Sequence, residues 1–272
     1  MMQPLAIKSG SPEINRSVER PNVLVIAGYD QSGGAGVLAD VKTLEAHGVY
    51  GYAVCTGMTY QNERVITNVQ WFTEKEIFEQ IDLCWQSARF DWVKIGICRS
   101  VTMIGSILRH LQEHNPAIKI ILDPVMRASS GLDFWEGIDR EGFEYVAGQT
   151  WLLTPNWEEV GWLYPGQDIP GCCRSLSLSA PCNLYLKGGH NPYHPGRDYL
   201  WSKGEVQILD PVMEGGIVYP KHGSGCVLAS SLMANLALGY PLELAAVRAK
   251  QYISRFLTSN KTLLGWHQAC IS

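Results

Sequence analysis

Residues 22–48 read NVLVIAGYDQSGGAGVLADVKTLEAHG, and the order of residue types in this stretch decides the fold class. NVLVIAG (22–28) is short, aliphatic and β-branched, with no polar alternation, so it reads as a strand covered on both faces. GAGVLADVKTLEAHG (34–48) then carries apolar residues at helical spacing. A buried strand, a glycine-rich turn and a helix are the first half of a βαβ unit. Outward from it the alternation continues, with YGYAVCTGM (50–58) and NERVITNVQWF (62–72) as strands. TEKEIFEQIDLCWQSAR (73–89) is a helix opened by a Thr73-x-x-Glu76 capping box. DWVKIG (91–96), KIILDPV (119–125), WLLTP (151–155) and NLYLKGG (183–189) read as further strands, and SVTMIGSILRHLQEHN (100–115) as a helix. A meander, DYLWS/EVQILD (198–210), and two helices from about Gly225 and Pro241 close the chain. The class is α/β, with right-handed crossovers and a central, largely parallel sheet covered on both faces. Residues 165–182 (PGQDIPGCCRSLSLSAPC) carry three prolines and no clear period, which predicts a long loop or a degenerate helix.

The 272 residues are 46% hydrophobic and 18% charged, with a net charge of −4, enough to bury a core without staples. With no repeat and no composition break, the expectation is one domain over 21–272 behind a loosely ordered extension, 1–20. Mild acidity and the lack of a Lys/Arg run argue against a nucleic-acid partner. No apolar run is long enough to span a membrane, and the first twenty residues lack a signal-peptide core. The eight cysteines show no Cys-x-x-Cys pairing, which fits reduced thiols and a cytoplasmic location.

In parallel sheets ligands sit beyond the carboxyl ends of strands, where glycines and helix N-termini present free N–H groups. Four such ends are rich in the right residue types: Gly28 to Gly36, Asp123-Pro124-Val125-Met126, Thr154-Pro155-Asn156 and Lys187-Gly188-Gly189-His190. A fifth cluster, His222-Gly223-Ser224-Gly225-Cys226, opens a helix of small residues and suits an anion, although glycines before a helix also serve plain connections. In that first turn the thiol of Cys226 is expected to have a lowered pKa and to act as a base; the alternative is a small apolar filler. Asp123 reads as a ligand for Mg²⁺ or an ammonium, or as a turn cap, and Lys187 as a phosphoryl-neutralising cation or a solvated strand end. Trp151, Trp157 and Trp162 around the Thr-Pro-Asn turn either stack on a flat ligand ring or belong to the core or an interface. No Gly-Lys-Ser/Thr phosphate loop and no Gly-x-Gly-x-x-Gly occur at these turns.

Taken together and in order, IAGYDQSGGAGVLADVKT (26–43), Gln61-Asn62, VKIGI (93–97), LDPVM (122–126), LLTPNWEE (152–159), LKGGH (186–190) and HGSGC (222–226) resemble the hydroxymethylpyrimidine/phosphomethylpyrimidine kinases of thiamine biosynthesis. Those are members of the ribokinase-like superfamily, near the pyridoxal kinases. The resemblance runs from about Asn22 to about Leu257 and implies a three-layer α/β/α sandwich with a mostly parallel sheet. It implies ATP- and Mg²⁺-dependent phosphorylation of 4-amino-5-hydroxymethyl-2-methylpyrimidine, then of the monophosphate, by a homodimer. By position it assigns Gly28, Asp40, Gln61 and Ile97 to the pyrimidine pocket, Asp123 and Glu159 to Mg²⁺, and Asn156, Lys187, His222 and Gly225 to the nucleotide. It makes Gly223, Ser224 and Gly225 the anion hole, Lys187 the neutralising cation and Cys226 the base.

The chain departs from the family pattern at Gln31, at Arg127 to Gly131, at Lys221 and Ser224, and in a shortened segment from Asn156 to Leu186. Arg127 is expected to replace the charge of a lysine normally present in its loop. Two other readings stand beside the kinase: a pyridoxal kinase, and a weakly catalytic sensor that binds a pyrimidine or vitamin.

Overall fold

The computed structural model describes residues 20–128, 131–135, 137–180, 182–212 and 217–270; the expected extension over 1–20 therefore lies outside it, except for Arg20, as do Ser129 and Ser130. Among the described residues the strands are β1 (Asn22–Tyr29), β2 (Tyr50–Gln61), β3 (Ile66–Trp71), β4 (Trp92–Ile95), β5 (Lys119–Leu122), β6 (Leu152–Leu153), β7 (Asn183–Leu186), β8 (Asp198–Ser202) and β9 (Glu205–Leu209). The helices are α1 (Gly36–Ala46), α2 (Glu74–Ser87), α3 (Val101–His114), α4 (Arg140–Ala147), α5 (Trp157–Leu163), α6 (Ile169–Ser179), α7 (Ser224–Ala237) and α8 (Leu242–Thr258).

All nine strands form one sheet in the order β3-β2-β1-β4-β5-β6-β7-β8-β9. The six from β2 to β7 are parallel, while β3 at one edge and the β8–β9 meander at the other are antiparallel. Side chains alternate across the sheet with period two. Leu24 and Ile26 of β1 therefore join a core that includes Ile81 of α2, Ile104 of α3, Phe143 of α4, Val160 of α5 and Leu176 of α6. Val23, Val25 and Ala27 join the opposite core, with α1, α7 and α8. The result is a three-layer α/β/α sandwich. Strand order reverses between β1 and β4, which opens a crevice beyond their carboxyl ends, as in other open α/β sheets.

Of the two readings of segment 165–182, a long loop or a degenerate helix, the structure takes the helix: most of the segment is α6. Asp168 caps it through the Gly171 N–H, Pro170 occupies the first turn, where its missing N–H costs nothing, and Cys172, Cys173 and Leu176 face the core. The α4 and α5 helices were not expected from periodicity; both are short and capped, by Asp139 and Asn156.

The chain after α8 folds back over α1. His267 lies between Tyr252, Phe256 and Thr43, and His47 is held by the Thr43 carbonyl and the Ser231 hydroxyl. Burial lowers both imidazoles, His267 to about 4, and Lys42 and His47 push His267 the same way. An unfolded histidine binds its proton near pH 6.5, so from there down toward 4 the unfolded chain holds protons that the folded chain does not, and stability is lost as pH falls. For His267 alone the loss between pH 6.5 and 5 is on the order of 2 kcal/mol, or about 5 °C in Tm. Thermal melts at pH 7 and pH 5 check this: His267→Gln is expected to narrow the gap, and an equal gap in both proteins would refute the assignment.

Candidate active site

The glycine turn after β1 is built around Asp30. Its buried carboxylate accepts from Ser32 N–H and Oγ (both 2.9 Å), from the Ala35 N–H (2.8 Å) and from His222 Nε2 (2.9 Å). Burial opposes its charge, yet these bonds hold the carboxyl below its ordinary value. Two glycines let the turn close. Gly36 has φ +60° and a Cβ there would strike the Gly28 carbonyl; Gly223 has φ +71° and its Cβ would strike the Gly34 carbonyl. The β1–α1 turn thus packs backbone to backbone on the start of α7, with His222 pinned between them.

These turns border a cleft of about 390 Å³ at the carboxyl ends of the parallel strands, within the usual range for small-ligand pockets. Gly28, Gln61 and Ile97 line it. Close approach of Ile97 to the Gly28 backbone leaves no room for a side chain at 28. Asp123, Asn156, Glu159, Lys187, His222 and the stretch Gly223 to Cys226 line it as well. A larger concavity, about 580 Å³ between α4 and α6, holds none of these strand-end groups, so the chemistry belongs to the cleft.

Asp123 and Lys187 are the charged centre. Lys187 Nζ donates to Asp123 Oδ1 at 2.5 Å, and Thr154 Oγ1 donates to the same oxygen at 3.1 Å. Burial disfavours the Lys187 ammonium, but Asp123 and Glu159 keep it charged, while Lys187 and Lys94 hold Asp123 ionised despite its burial. Asp123 Oδ2 is buried with no hydrogen-bond partner. Glu159 closes a reciprocal cap on α5: its carboxylate accepts the Asn156 N–H at 2.7 Å and its own N–H donates to Asn156 Oδ1 at 2.9 Å. Burial pushes the Glu159 carboxyl up to about 7, against the pull of Lys187. A buried anionic oxygen without a partner and a second carboxylate lining the same cleft form a donor set that fits a hard divalent cation such as Mg²⁺. Gly225 keeps the approach to α7 clear, since a Cβ there would lie 3.3 Å from Lys187 Nζ.

Asp40 is not among the residues that line the cleft. Expected in the pyrimidine pocket, it is fully buried between sheet and α7, where its Oδ1 accepts from Lys94 Nζ and Ser230 Oγ, both at 2.7 Å. Its Oδ2 is buried without a hydrogen-bond partner. Lys94 was not singled out. Burial opposes its charge, but Asp40, Cys226 and Asp123 outweigh that and hold it well above the ordinary lysine range, making it a fixed cation beneath the cleft floor. The only signal in the sequence was a lysine inside the apolar run VKIGI.

Cys226 is where expected, in the first turn of α7, but its electrostatics are the reverse. Desolvation pushes its thiol up to about 11; Lys94 and the Gly36 N–H pull it down, Asp40 and Asp123 push it further up, and the helix end does not reverse the balance. Arg127 lines the cleft while pairing with Asp133 and lying 4.7 Å over the Trp162 ring. Lys221 donates to the Asn260 carbonyl (2.5 Å) and the Thr262 carbonyl (2.6 Å), tying the start of α7 to the chain's end. Trp151, Trp157 and Trp162 are not among the residues that line the cleft; Trp151 sits edge-on to Trp92, 4.9 Å away.

This sheet order, with a cleft at the strand-order reversal and a glycine-led helix facing a buried lysine–aspartate pair, defines the ribokinase-like class. Residues 30–270 match the family described as phosphomethylpyrimidine kinase, and the chain belongs to that family. A hydroxymethylpyrimidine/phosphomethylpyrimidine kinase from Aquifex aeolicus is 28% identical over 250 residues, covering 88% of this chain and 95% of that protein. The crystal structure of a phosphomethylpyrimidine kinase from Clostridium difficile 630 superposes with a TM-score of 0.72 at 29% identity, over 87% of this chain and 99% of that one. A thiamine biosynthesis bifunctional protein of Geobacter sulfurreducens is 32% identical over 251 residues, 86% of this chain; the chain spans about half (49%) of that relative's length.

Proposed function

We propose that the chain transfers the γ-phosphoryl group of ATP to the hydroxymethyl oxygen of 4-amino-5-hydroxymethyl-2-methylpyrimidine and then phosphorylates the monophosphate to the diphosphate. The observation that carries this reading is one cleft lined both by Gly28, Gln61 and Ile97 and by Lys187, Asp123 and the N-terminus of α7. An amide and an aliphatic wall suit a flat aminopyrimidine; an ammonium and free helix N–H groups suit phosphates. The names of the Aquifex relative and of the Clostridium structure support the same substrate class.

In this reading Gln61 orients the ring and Ile97 packs on it. Lys187 neutralises the phosphates, and the N–H groups of Gly223, Ser224 and Gly225 face the charge that develops on the transferring group. Asn156 and His222 border the nucleotide, with His222 oriented by Asp30. Asp123 and Glu159 would hold Mg²⁺, directly or through water, where it would neutralise phosphate oxygens. Cys226 accepts the hydroxymethyl proton, with Lys94 and Asp40 setting its surroundings from below. Eight free cysteines support a reducing, cytoplasmic setting, and no helix among the described residues is long and apolar enough to cross a membrane. The homodimer rests on the resemblance, and light scattering on the eluted protein tests it.

ADP release with ATP and Mg²⁺, measured for hydroxymethylpyrimidine, its monophosphate and pyridoxal, tests the function. Turnover of both pyrimidines is expected. Turnover of pyridoxal alone would move the chain to the vitamin kinases, and saturable pyrimidine binding without turnover would make it a sensor.

A further inference from the structure

Away from the cleft, α2 presents Phe78, Asp82 and Trp85 on one face, and α3 sets His110 and His114 one turn apart against them. Both imidazole Nε2 atoms converge on a single carboxylate oxygen, Asp82 Oδ1, at 2.8 Å from His110 and 2.7 Å from His114. The ligand atoms of the three side chains all lie within 4.8 Å of one another. Neither ring is free to wander. His110 lies flat on Phe78, with centroids 4.0 Å apart and planes at 3°, and His114 stacks on Trp85 at 4.8 Å and 20°.

We propose that Asp82, His110 and His114 form a binding site for a divalent transition-metal ion that ties α2 to α3. Two imidazoles one helical turn apart with a carboxylate from a neighbouring helix form a three-ligand set suited to zinc, nickel or copper rather than to magnesium or calcium. Each Nε2 coordinates through its lone pair once its proton has moved to Nδ1 or left to solvent. On His110 that Nδ1 lies 3.7 Å from Glu113 Oε2, beyond hydrogen-bond distance, and a small shift of this exposed side chain would make the carboxylate–histidine bond that fixes the tautomer of a metal-bound histidine. Donors around a tetrahedral ion with bonds of about 2.0–2.1 Å stand roughly 3.3 Å apart, so the present nitrogen–oxygen contacts must widen by about half an ångström. Asp82 can supply that shift, because its side chain is 46% exposed. The same exposure leaves remaining coordination positions to water. His114 is also the last residue of α3, where the unpaired carbonyls favour a cation.

The site is remote from the chemistry. Because α3 starts beyond the carboxyl end of β4 and runs back along the sheet for 14 residues, its last turn stands about 20 Å from its start, toward the strands' amino ends. The role that follows is a cross-link between two helices of one layer, independent of the cleft.

The test uses the full chain, stripped with a chelator and titrated with Zn²⁺ against a chromophoric competitor, with Co²⁺ as a spectroscopic probe. One equivalent of Zn²⁺ is expected to bind, with affinity at least about tenfold weaker in Asp82→Asn, His110→Gln and His114→Gln. Co²⁺ is expected to give visible d–d bands without a thiolate charge-transfer band, and Zn²⁺ to raise the Tm of the wild type but not of His114→Gln. Circular dichroism in chelator shows whether each variant is folded. No stoichiometric binding by the wild type would overturn the proposal without any variant. So would undiminished binding by folded His114→Gln, or a thiolate band, which would assign the ion to a cysteine.

Discussion

Lys187→Met is expected to lower kcat by about a thousandfold, the scale of removing one preorganised group that faces transition-state charge. Methionine keeps most of the volume and removes only the cation. The ammonium is bonded to Asp123, is held charged by Asp123 and Glu159, and sits where Gly225 opens the N-terminus of α7. Its loss removes the cation bonded to Asp123 and pulling on Glu159, leaving Asp123 only the charge of Lys94, and breaking such a pair from one side costs about 3–5 kcal/mol. Melting should therefore fall by roughly 10 °C in the absence of ligand. The two effects separate in the kinetics. KM for the pyrimidine should hold within a few-fold, because in the proposed reading Gly28, Gln61 and Ile97, not Lys187, hold the ring. A folded Lys187→Met protein that keeps kcat within tenfold of wild type would remove Lys187 from the phosphate role.

Local signals carried much of the fold. The unbroken apolar run of β1 demanded two covered faces, and the structure sends Val23, Val25 and Ala27 to one core and Leu24 and Ile26 to the other. Thr73-x-x-Glu76 forms both bonds of its capping box. Asn156-x-x-Glu159 carries the same signature, yet the resemblance drew attention to it only as a cofactor and metal pair, and α5 was missed. In α6 the prolines hid the helix, although Asp168 followed by Pro170 is itself a start signal. The site was legible where glycines and strand ends mark backbone turns. It was not legible where tertiary burial decides. Asp40 and Lys94 stand 54 residues apart, and nothing local says that they neutralise each other beneath the cleft rather than face a ligand.

The sharpest case is Cys226, whose proton affinity the helix position alone gets wrong. With its thiol pushed up to about 11, the thiolate is a minor species near neutrality, so a base role makes the rate climb with pH well above 7. Glu159, which ionises around 7, supplies a separate, lower rise, since only its carboxylate can serve a cation. The wild-type kcat/KM profile should therefore rise through neutrality and keep rising toward pH 10. Cys226→Ala is expected to lose about a hundred- to a thousandfold in kcat, within the range for general-base removal, with little change in pyrimidine KM. Its remaining activity should show the Glu159 rise alone, with the upper one gone. Cys226→Asp supplies a base of lower proton affinity at the same place and is expected to recover part of the rate and to flatten the profile above neutrality. An alanine variant that retains the upper rise would assign that proton to another group. In that case the thiol only fills space over Lys94, and phosphoryl transfer here proceeds on positioning and charge neutralisation, with the alcohol's proton lost late to the phosphate itself.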